Sequence, residues 1–421
     1  MGKTISEKIL ARASGRDSVS AGEIVWVEVD KAMMDDILGP RVEIADKLKE
    51  LGAKVKHPEK VVVISDHYTP PANEKQANIV KFTRDWACTL GVKEYYEFAG
   101  PCHQIMAEFG HDVPGTVVLG TDSHTCMGGA LGAFSTGVGS TEMLGVLISG
   151  KTWLRVPETI QVVWNGELRD GVMAKDVSLA TIGRVGHSGA TYKAVEYQGE
   201  TIAEMEMDER LCLSNMAVEM GAKVGLIATD SKTRAYLRDH GCLAQYDEVF
   251  SDADARYCER LNFDAASLVP QVSCPHEVDN VSAIESLNET ISINQAYIGS
   301  CTGGRLHDLE MAARLVKGKK VAHGVRFLVS PASNRIWKEA NEKGYLSTLA
   351  NAGAVILAPT CGLCTGLHSG ILGSGEVCIS STNRNFLGRM GSKDSFVYLG
   401  SPLSVAAAAI TGRVTDPREL L

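Results

Sequence analysis

No run in this chain approaches the roughly 20 consecutive apolar residues that a membrane-crossing helix needs, so no membrane partner is expected. A basic surplus is missing as well. Lys and Arg number 42 against 51 Asp and Glu, for a net charge of −9, which argues against nucleic acid as a partner, because a basic face would have to supply that affinity. The densest basic cluster, Lys317, Lys319 and Lys320, reads as a solvated loop. The opening MGKTISEKIL is polar with helical spacing and has no apolar core, so no secretory leader is expected. Gly2 followed by Lys-Thr-Ile-Ser formally fits an N-myristoylation pattern, but the segment reads better as the start of an amphipathic helix. Cytoplasmic residence with reduced thiols is the resulting expectation. Aromatic residues are scarce (6%) while glycines number 42, the balance of an α/β protein with many tight strand-to-helix turns. Internal repeats and low-complexity segments are lacking too. At 421 residues, the chain has room for two to four domains of about 100–200 residues each.

Against these absences stand 11 cysteines. Cys88, Cys102, Cys126, Cys212, Cys242, Cys258, Cys274 and Cys378 are scattered without pairing rhythm and read mostly as small buried hydrophobes. The other three share a local pattern. Cys301 lies in AYIGSCTGGR, and Cys361 and Cys364 lie in LAPTCGLCTG; each segment is a short apolar run, a turn of small residues, then the thiols. In an α/β domain that pattern places them at the C-terminal ends of strands, where unpaired backbone N–H groups stabilise negative charge. A CxxC alone also occurs in redox motifs and structural zinc sites. With a third thiol from a distant loop, the set is one ligand short of a closed Cys₄ shell. A metal held by three thiolates keeps an open position for substrate.

The rest of the chain alternates between helix and strand patterns. Val61–Ser65 is an apolar run suited to a strand buried on both faces, and it ends in Asp66-His67. Residues 116–119 form another, ending in Asp122-Ser123-His124. A turn at Gly100–Gln104 carries His103 before a helix. A glycine-rich stretch, 128–139, is expected to lead into a helix N-capped by Ser140-Thr141-Glu142 and running to about Trp153. Pro157 opens a more β-rich middle segment, and 270–288, polar and with proline, is the best linker candidate. From Ile291 onward strands are expected at 295–298, 325–330, 354–358, 377–381 and 397–399. Asp66-His67, Asp122-Ser123-His124, the cysteine loops and Asn383-Arg384-Asn385 all follow strand-like runs, at the edge where open α/β sheets hold ligands.

These residues fall in segments that together resemble the aconitase superfamily, most closely the large subunits of the two-subunit 3-isopropylmalate dehydratase and homoaconitase group. ISDHY, GPCHQI, GTDSHTCMGGALGAFSTGVGSTE, NMAVEMGAK, IGSCTGGR, CGLC and TNRNFLGRMG occur in that family's order, nearly end to end. The resemblance implies an α/β fold of three α/β/α domains around a shared cleft holding an iron–sulfur cluster, with boundaries expected at 1–157, 158–290 and 291–421. It implies that Cys301, Cys361 and Cys364 hold a 4Fe-4S cluster with one iron lacking a protein ligand, where a hydroxy acid binds. It further implies acid–base or water-binding roles for Asp66, His67, His103, Asp122, His124 and Glu219. Substrate contacts are implied for Ser123, Arg384 and Arg389, with Asn385 beside the cluster.

The family's catalytic serine sits in a GSSRE-like motif that this sequence lacks. The expectation is therefore a small swivel-domain subunit carrying that serine. The implied activity is an iron–sulfur hydro-lyase on a small hydroxy acid, 3-isopropylmalate first, with 2,3-dimethylmalate, citramalate, maleate or homoaconitate chemistry as alternatives. Asp35, Leu38, Arg41 and Gly303 depart from the family's usual residues near the pocket and leave the substrate open. One motif competes. GVLISGKT, Gly145–Thr152, matches the phosphate-loop pattern GxxxxGK[ST], but it falls where helical spacing is expected to continue rather than after a strand. An RNA-binding role, as in a cluster-free relative, is disfavoured by the acidic charge.

Overall fold

The computed structural model describes residues 2–242 and 244–421. Its contacts divide them into two compact units, each assembled from separated stretches of chain. The first comprises residues up to 97, 102–164 and 190–263; the second comprises 98–101, 165–189 and 264–421.

In the first unit, a five-stranded sheet runs in the order Glu94–Glu97, Val61–Ser65, Lys31–Asp35, Val117–Gly120, Phe134–Gly137, with every neighbouring pair parallel. Its central strands are buried along their length, as Val61–Ser65 illustrates. Covered parallel sheets call for such unbroken apolar runs. Met34, Val61, Val63, Leu119 and Phe134 enter one core with Ile5 and Ile9 from the first helix, Ile5–Ser14. Thr4 and Glu7 cap that helix reciprocally. The Gly2 N–H donates to Asp254 at 2.9 Å, and a Cβ on Gly2 would meet that carboxylate, so Gly2 is tied into the fold. A second sheet of this unit has the order Val224–Ile227, Ala194–Gln198, Thr159–Asn165, Glu259–Asp264.

The second unit is built on a seven-stranded sheet. Its order is Val281–Ala283, Gln271–Ser273, Phe396–Gly400, Val377–Ser380, Gln295–Ile298, Arg326–Val329, Val355–Ile356. The last five are mutually parallel, and Ala296, Ile298, Phe327, Val329 and Leu403 sit in its core.

Three sequence expectations are corrected. Residues 270–288 are no linker: Gln271–Ser273 and Val281–Ala283 pair antiparallel and extend the large sheet, with Val272 and Ser273 fully buried. Strands this short carry too few apolar residues to announce themselves. The helix expected through Trp153 spans Ser140–Ser149 and stops at Gly150, whose φ of 74° is a left-handed stop that favours glycine. Lys151–Arg155 then pairs antiparallel with Ile24–Glu28. The N-cap is Gly139, whose N–H donates to Glu142 at 3.0 Å, one residue ahead of the expected cap. The expected middle segment 158–290 is shared between the compact units and supplies strands to two of the sheets.

Candidate functional site

At the C-terminal edge of the five-stranded parallel sheet, adjacent strands deliver acidic and imidazole side chains to one rim, as open α/β sheets do. Lys31–Asp35 ends in Asp35 and is followed by Asp36; Val61–Ser65 is followed by Asp66 and His67; Val117–Gly120 leads to Asp122, Ser123 and His124. Asp36, Asp66 and His67 are buried. His67 Nδ1 lies 2.8 Å from Asp66 Oδ1 and 3.3 Å from Asp36 Oδ1. Asp36 also accepts the backbone N–H groups of His67 and Tyr68 at 3.0 and 3.1 Å. Asp66 uses its second oxygen to accept the Cys102 N–H at 2.6 Å, at the start of the helix Cys102–Glu108 that carries His103. Burial alone would lower the His67 pKa. The Asp66 charge, the hydrogen bonds to Asp36 and Asp66 and the charge of Asp35 overcome it and hold the imidazole well above its ordinary 6.5.

Asp122 is the hub of a second chain of contacts. Its Oδ1 lies 2.8 Å from His103 Nε2 and 3.3 Å from His124 Nδ1, and it accepts the His124 N–H at 2.8 Å. His124 Nε2 in turn lies 2.7 Å from Glu219 Oε1, on the turn Ala217–Met220. Burial would raise the Asp122 pKa, but His103 and His124 hold the carboxylate well below its usual range. The two groups approach each other, with His67 Nε2 4.0 Å from Asp122 Oδ2. Ser123 is half-buried at the same turn. A Cβ on Gly137 would come 2.9 Å from the Ser123 Cα, so glycine there leaves the turn its room. Thus Asp66, His67, His103, Asp122, Ser123, His124 and Glu219 come together in the first unit.

Asp36 was missed in the sequence, although the acidic pair Asp35-Asp36 at a strand end was a usable signal. Asp35 itself caps its own turn. It accepts the Ile37 and Leu38 N–H groups at 2.7 Å each and the Thr121 hydroxyl at 2.6 Å, and burial raises its pKa against these bonds. Leu38 is exposed, and Arg41 donates to the Asp36 carbonyl at 3.2 Å with its guanidinium 5.8 Å from the Tyr68 ring.

The second unit holds the cysteines. Cys301 follows Gln295–Ile298, the Asn383-Arg384 turn follows its neighbour Val377–Ser380, and the Cys361-Cys364 turn follows Val355–Ile356. Cys301 and Cys364 are buried and Cys361 is half-buried. Asn383 stands between two thiols: its Oδ1 lies 3.9 Å from Cys301 Sγ and 3.6 Å from Cys364 Sγ, and its Nδ2 lies 3.6 Å from Cys301 Sγ. Asn385, expected in that place, instead donates through Nδ2 to the Cys274 carbonyl at 2.8 Å and to Ser273 Oγ at 3.1 Å. Its Nδ2 is committed to that loop. Ser300, next to Cys301, has φ 71°, a strained conformation of the kind that collects at functional sites. The fully buried Arg305 donates to the Cys301 carbonyl. Gly362, inside the CxxC, is required: a Cβ there would lie 2.2 Å from the His368 ring. At Gly303 a Cβ would lie 2.4 Å from the Ser381 hydroxyl, so Ser381 fills the space a larger residue would need.

Three buried polar atoms of this unit lack a hydrogen-bond partner: Arg389 Nε, Asn385 Oδ1 and Tyr297 Oη. Arg384 is half-buried with its guanidinium 5.8 Å from the Phe386 ring. Such leftover polarity in the unit that carries the three thiols suits a polar, metal-bearing ligand. By contrast, Gly145–Thr152 is helix, glycine stop and strand, and Lys151 pairs with Glu28 at 2.7 Å. No phosphate-cradling loop exists there. Among the described residues, no helix is long and apolar enough to cross a membrane.

Residues 7–412 match the aconitase family (aconitate hydratase). The chain is 47% identical to 3-isopropylmalate dehydratase large subunit 1 of Methanopyrus kandleri, with 100% of both chains covered. Over the same full coverage it is 46% identical to large subunit 2 of Archaeoglobus fulgidus and 44% identical to large subunit 1 of Thermotoga maritima. Among solved structures, aconitase X of Thermococcus kodakaraensis superposes with a TM-score of 0.50 at 14% identity, over 86% of this chain and 84% of that one; this likeness speaks for the fold. With motifs, sheet topology and full-length relatives in agreement, the chain belongs to the aconitase family.

Proposed function

We propose that this chain is the large, cluster-bearing subunit of a 3-isopropylmalate dehydratase, a hydro-lyase that removes and restores water on a small hydroxy diacid. The observation that carries the reading is full-length identity of 44–47% to chains named as that large subunit. Cys301, Cys361 and Cys364 would hold a 4Fe-4S cluster, with Asn383 against two of the thiols. When bound, the cluster supplies a Lewis-acidic iron without a protein ligand, which makes hydroxide a better leaving group.

The remaining steps belong to side chains. His67 Nδ1 is committed to Asp66 and Asp36, so Nε2 is the nitrogen that delivers a proton to the departing hydroxyl. The carboxylates that raise its pKa favour the protonated imidazole. His103, Asp122, His124 and Glu219 would bind and orient the released water. Ser123, Arg384 and Arg389 would contact substrate, and the unpartnered Nε of Arg389 suits a carboxylate, which a guanidinium grips in two-pronged fashion. Asn385, whose Oδ1 has no partner while Nδ2 is anchored on the 273–277 loop, would contact substrate beside the cluster. The base that removes the carbon-bound proton is assigned to a serine on a separate small subunit. The cytoplasm, where cysteines without disulfides stay reduced, is our reading of its location.

The test is reconstitution. The anaerobically purified chain is expected to carry about four irons and to turn over none of 3-isopropylmalate, 2,3-dimethylmalate or citramalate alone. Adding the cognate small subunit should produce turnover, fastest on 3-isopropylmalate. Full activity of the single chain would refute the two-subunit reading, and a faster 2,3-dimethylmalate reaction would transfer the assignment to that acid.

A further inference from the structure

Tyr297 is a buried polar group that the chemistry above leaves unused. It lies on Gln295–Ile298, the fully buried strand that leads into Cys301. Its side chain is completely enclosed and its hydroxyl has no hydrogen-bond partner. A buried hydroxyl in that state is unfavourable and calls for an acceptor. The position of the hydroxyl is fixed by Gly299: a Cβ on that glycine would sit 2.3 Å from Tyr297 Oη. The phenol therefore runs along its own strand, fills the side-chain space of Gly299 and ends beside the Ser300-Cys301 turn. Gly299 is held there by its N–H donating to Ser381 Oγ at 3.0 Å. The Ser330 hydroxyl faces the phenol but spends its own proton on the Ala358 carbonyl at 2.8 Å. Burial, followed by the charge of Cys364, raises the phenol pKa against the opposing effect of Ser330, so the group keeps its proton as a donor.

We propose that the Tyr297 hydroxyl donates a hydrogen bond to a sulfur of the cysteine-held cluster and acts as a positioning residue that tunes its potential. The idea rests on the cluster reading above. A hydrogen bond to sulfur favours the more reduced, more negative state and so raises the reduction potential. It also orders the ligand loop against loss of the iron that has no protein ligand.

The test compares the full-length chain with Tyr297→Phe and Ser330→Ala, all reconstituted anaerobically. The readouts are iron and sulfide content, reduction potential followed by EPR, and the rate of conversion to a three-iron signal in air. Tyr297→Phe is expected to keep its iron content, to shift to a more negative potential and to lose iron several-fold faster, while Ser330→Ala stays at wild type. An unchanged potential and iron-loss rate in Tyr297→Phe, with only a lower thermal midpoint, would overturn the proposal and leave the phenol a packing group. Should Tyr297→Phe fail to fold, 3-fluorotyrosine incorporated into the wild-type chain decides the matter. A ¹⁹F coupling to the three-iron cluster supports the contact, and its absence overturns it. A wild-type chain that binds no iron and sulfide would instead remove the cluster reading itself, an outcome distinct from either.

Discussion

Asp36 is the residue on which the acid–base group leans most. It touches the His67 imidazole and both backbone N–H groups that orient it. Asp36→Asn should lower the His67 pKa, because the hydrogen bond to that carboxylate is among the interactions raising it. NMR titration of labelled imidazole reads this directly. The stability consequence follows by linkage. A histidine whose folded pKa lies above 6.5 contributes stability that is fully present below pH 6.5 and is lost as pH rises through the folded value. In Asp36→Asn that contribution shrinks, and urea unfolding at pH 6 should show a loss of about 3 kcal/mol, as for a buried charge left short of a partner. The gap from wild type should narrow as pH rises through the folded value of His67; a gap of constant size would mean that Asp36 acts through packing alone. Asp66→Asn should lower kcat more than KM in the reconstituted enzyme, since it removes the carboxylate that orients the imidazole.

At the scale of the element, the CxxC turn depends on Gly362. Gly362→Ala puts a methyl group 2.2 Å from the buried His368 ring, so the turn must open. The expected result is iron content well below wild type with a stability loss of about 1–3 kcal/mol, read by iron assay and thermal unfolding. The strand Lys151–Arg155 yields another expectation. Lys151→Ala should leave activity near wild type, and calorimetry should find no ATP binding at millimolar concentration, because Lys151 only pairs with Glu28 across an exposed ribbon. The legibility of these elements differs for physical reasons. VVVIS and the run before Cys301 were readable because burial on both faces demands unbroken apolar residues. Gln271–Ser273 was unreadable because a three-residue strand gains its burial from neighbours far away in sequence. The helix end at Gly150 was missed because the following Lys-Thr-Trp-Leu keeps an apolar spacing compatible with either structure. That Asn383 lies against two thiols while the Nδ2 of Asn385 binds a distant loop could not be read from spacing, since tertiary partners decide both.

At the scale of the molecule, neither compact unit is a continuous piece of chain. The cysteine-bearing unit borrows residues 98–101, where the Asn334 N–H donates to the Ala99 carbonyl at 2.8 Å. It also borrows 165–189, whose buried Lys175 donates to the Thr382 carbonyl at 2.7 Å, one residue before Asn383. A fragment 264–421 produced alone should therefore bind little iron, even though it contains all three cysteines. Iron assay of that fragment, with and without a co-expressed 1–263, checks this; stoichiometric iron in the lone fragment would show that the borrowed segments are dispensable.

The same threading bears on how the protein is made. On the ribosome, residues 98–101 and 165–189 emerge long before the thiols, and their partners in the large sheet arrive only with the last third of the chain. Those early segments must wait, flanked by sequence of the other unit, until Gln295–Ile298 and Val377–Ser380 appear beside them. On the cluster reading, iron and sulfide would have to arrive at the end of synthesis. A stalled or prematurely cut chain exposes Cys301 without the Asn383 loop that flanks it, and such a product is the one most open to oxidation and capture by chaperones.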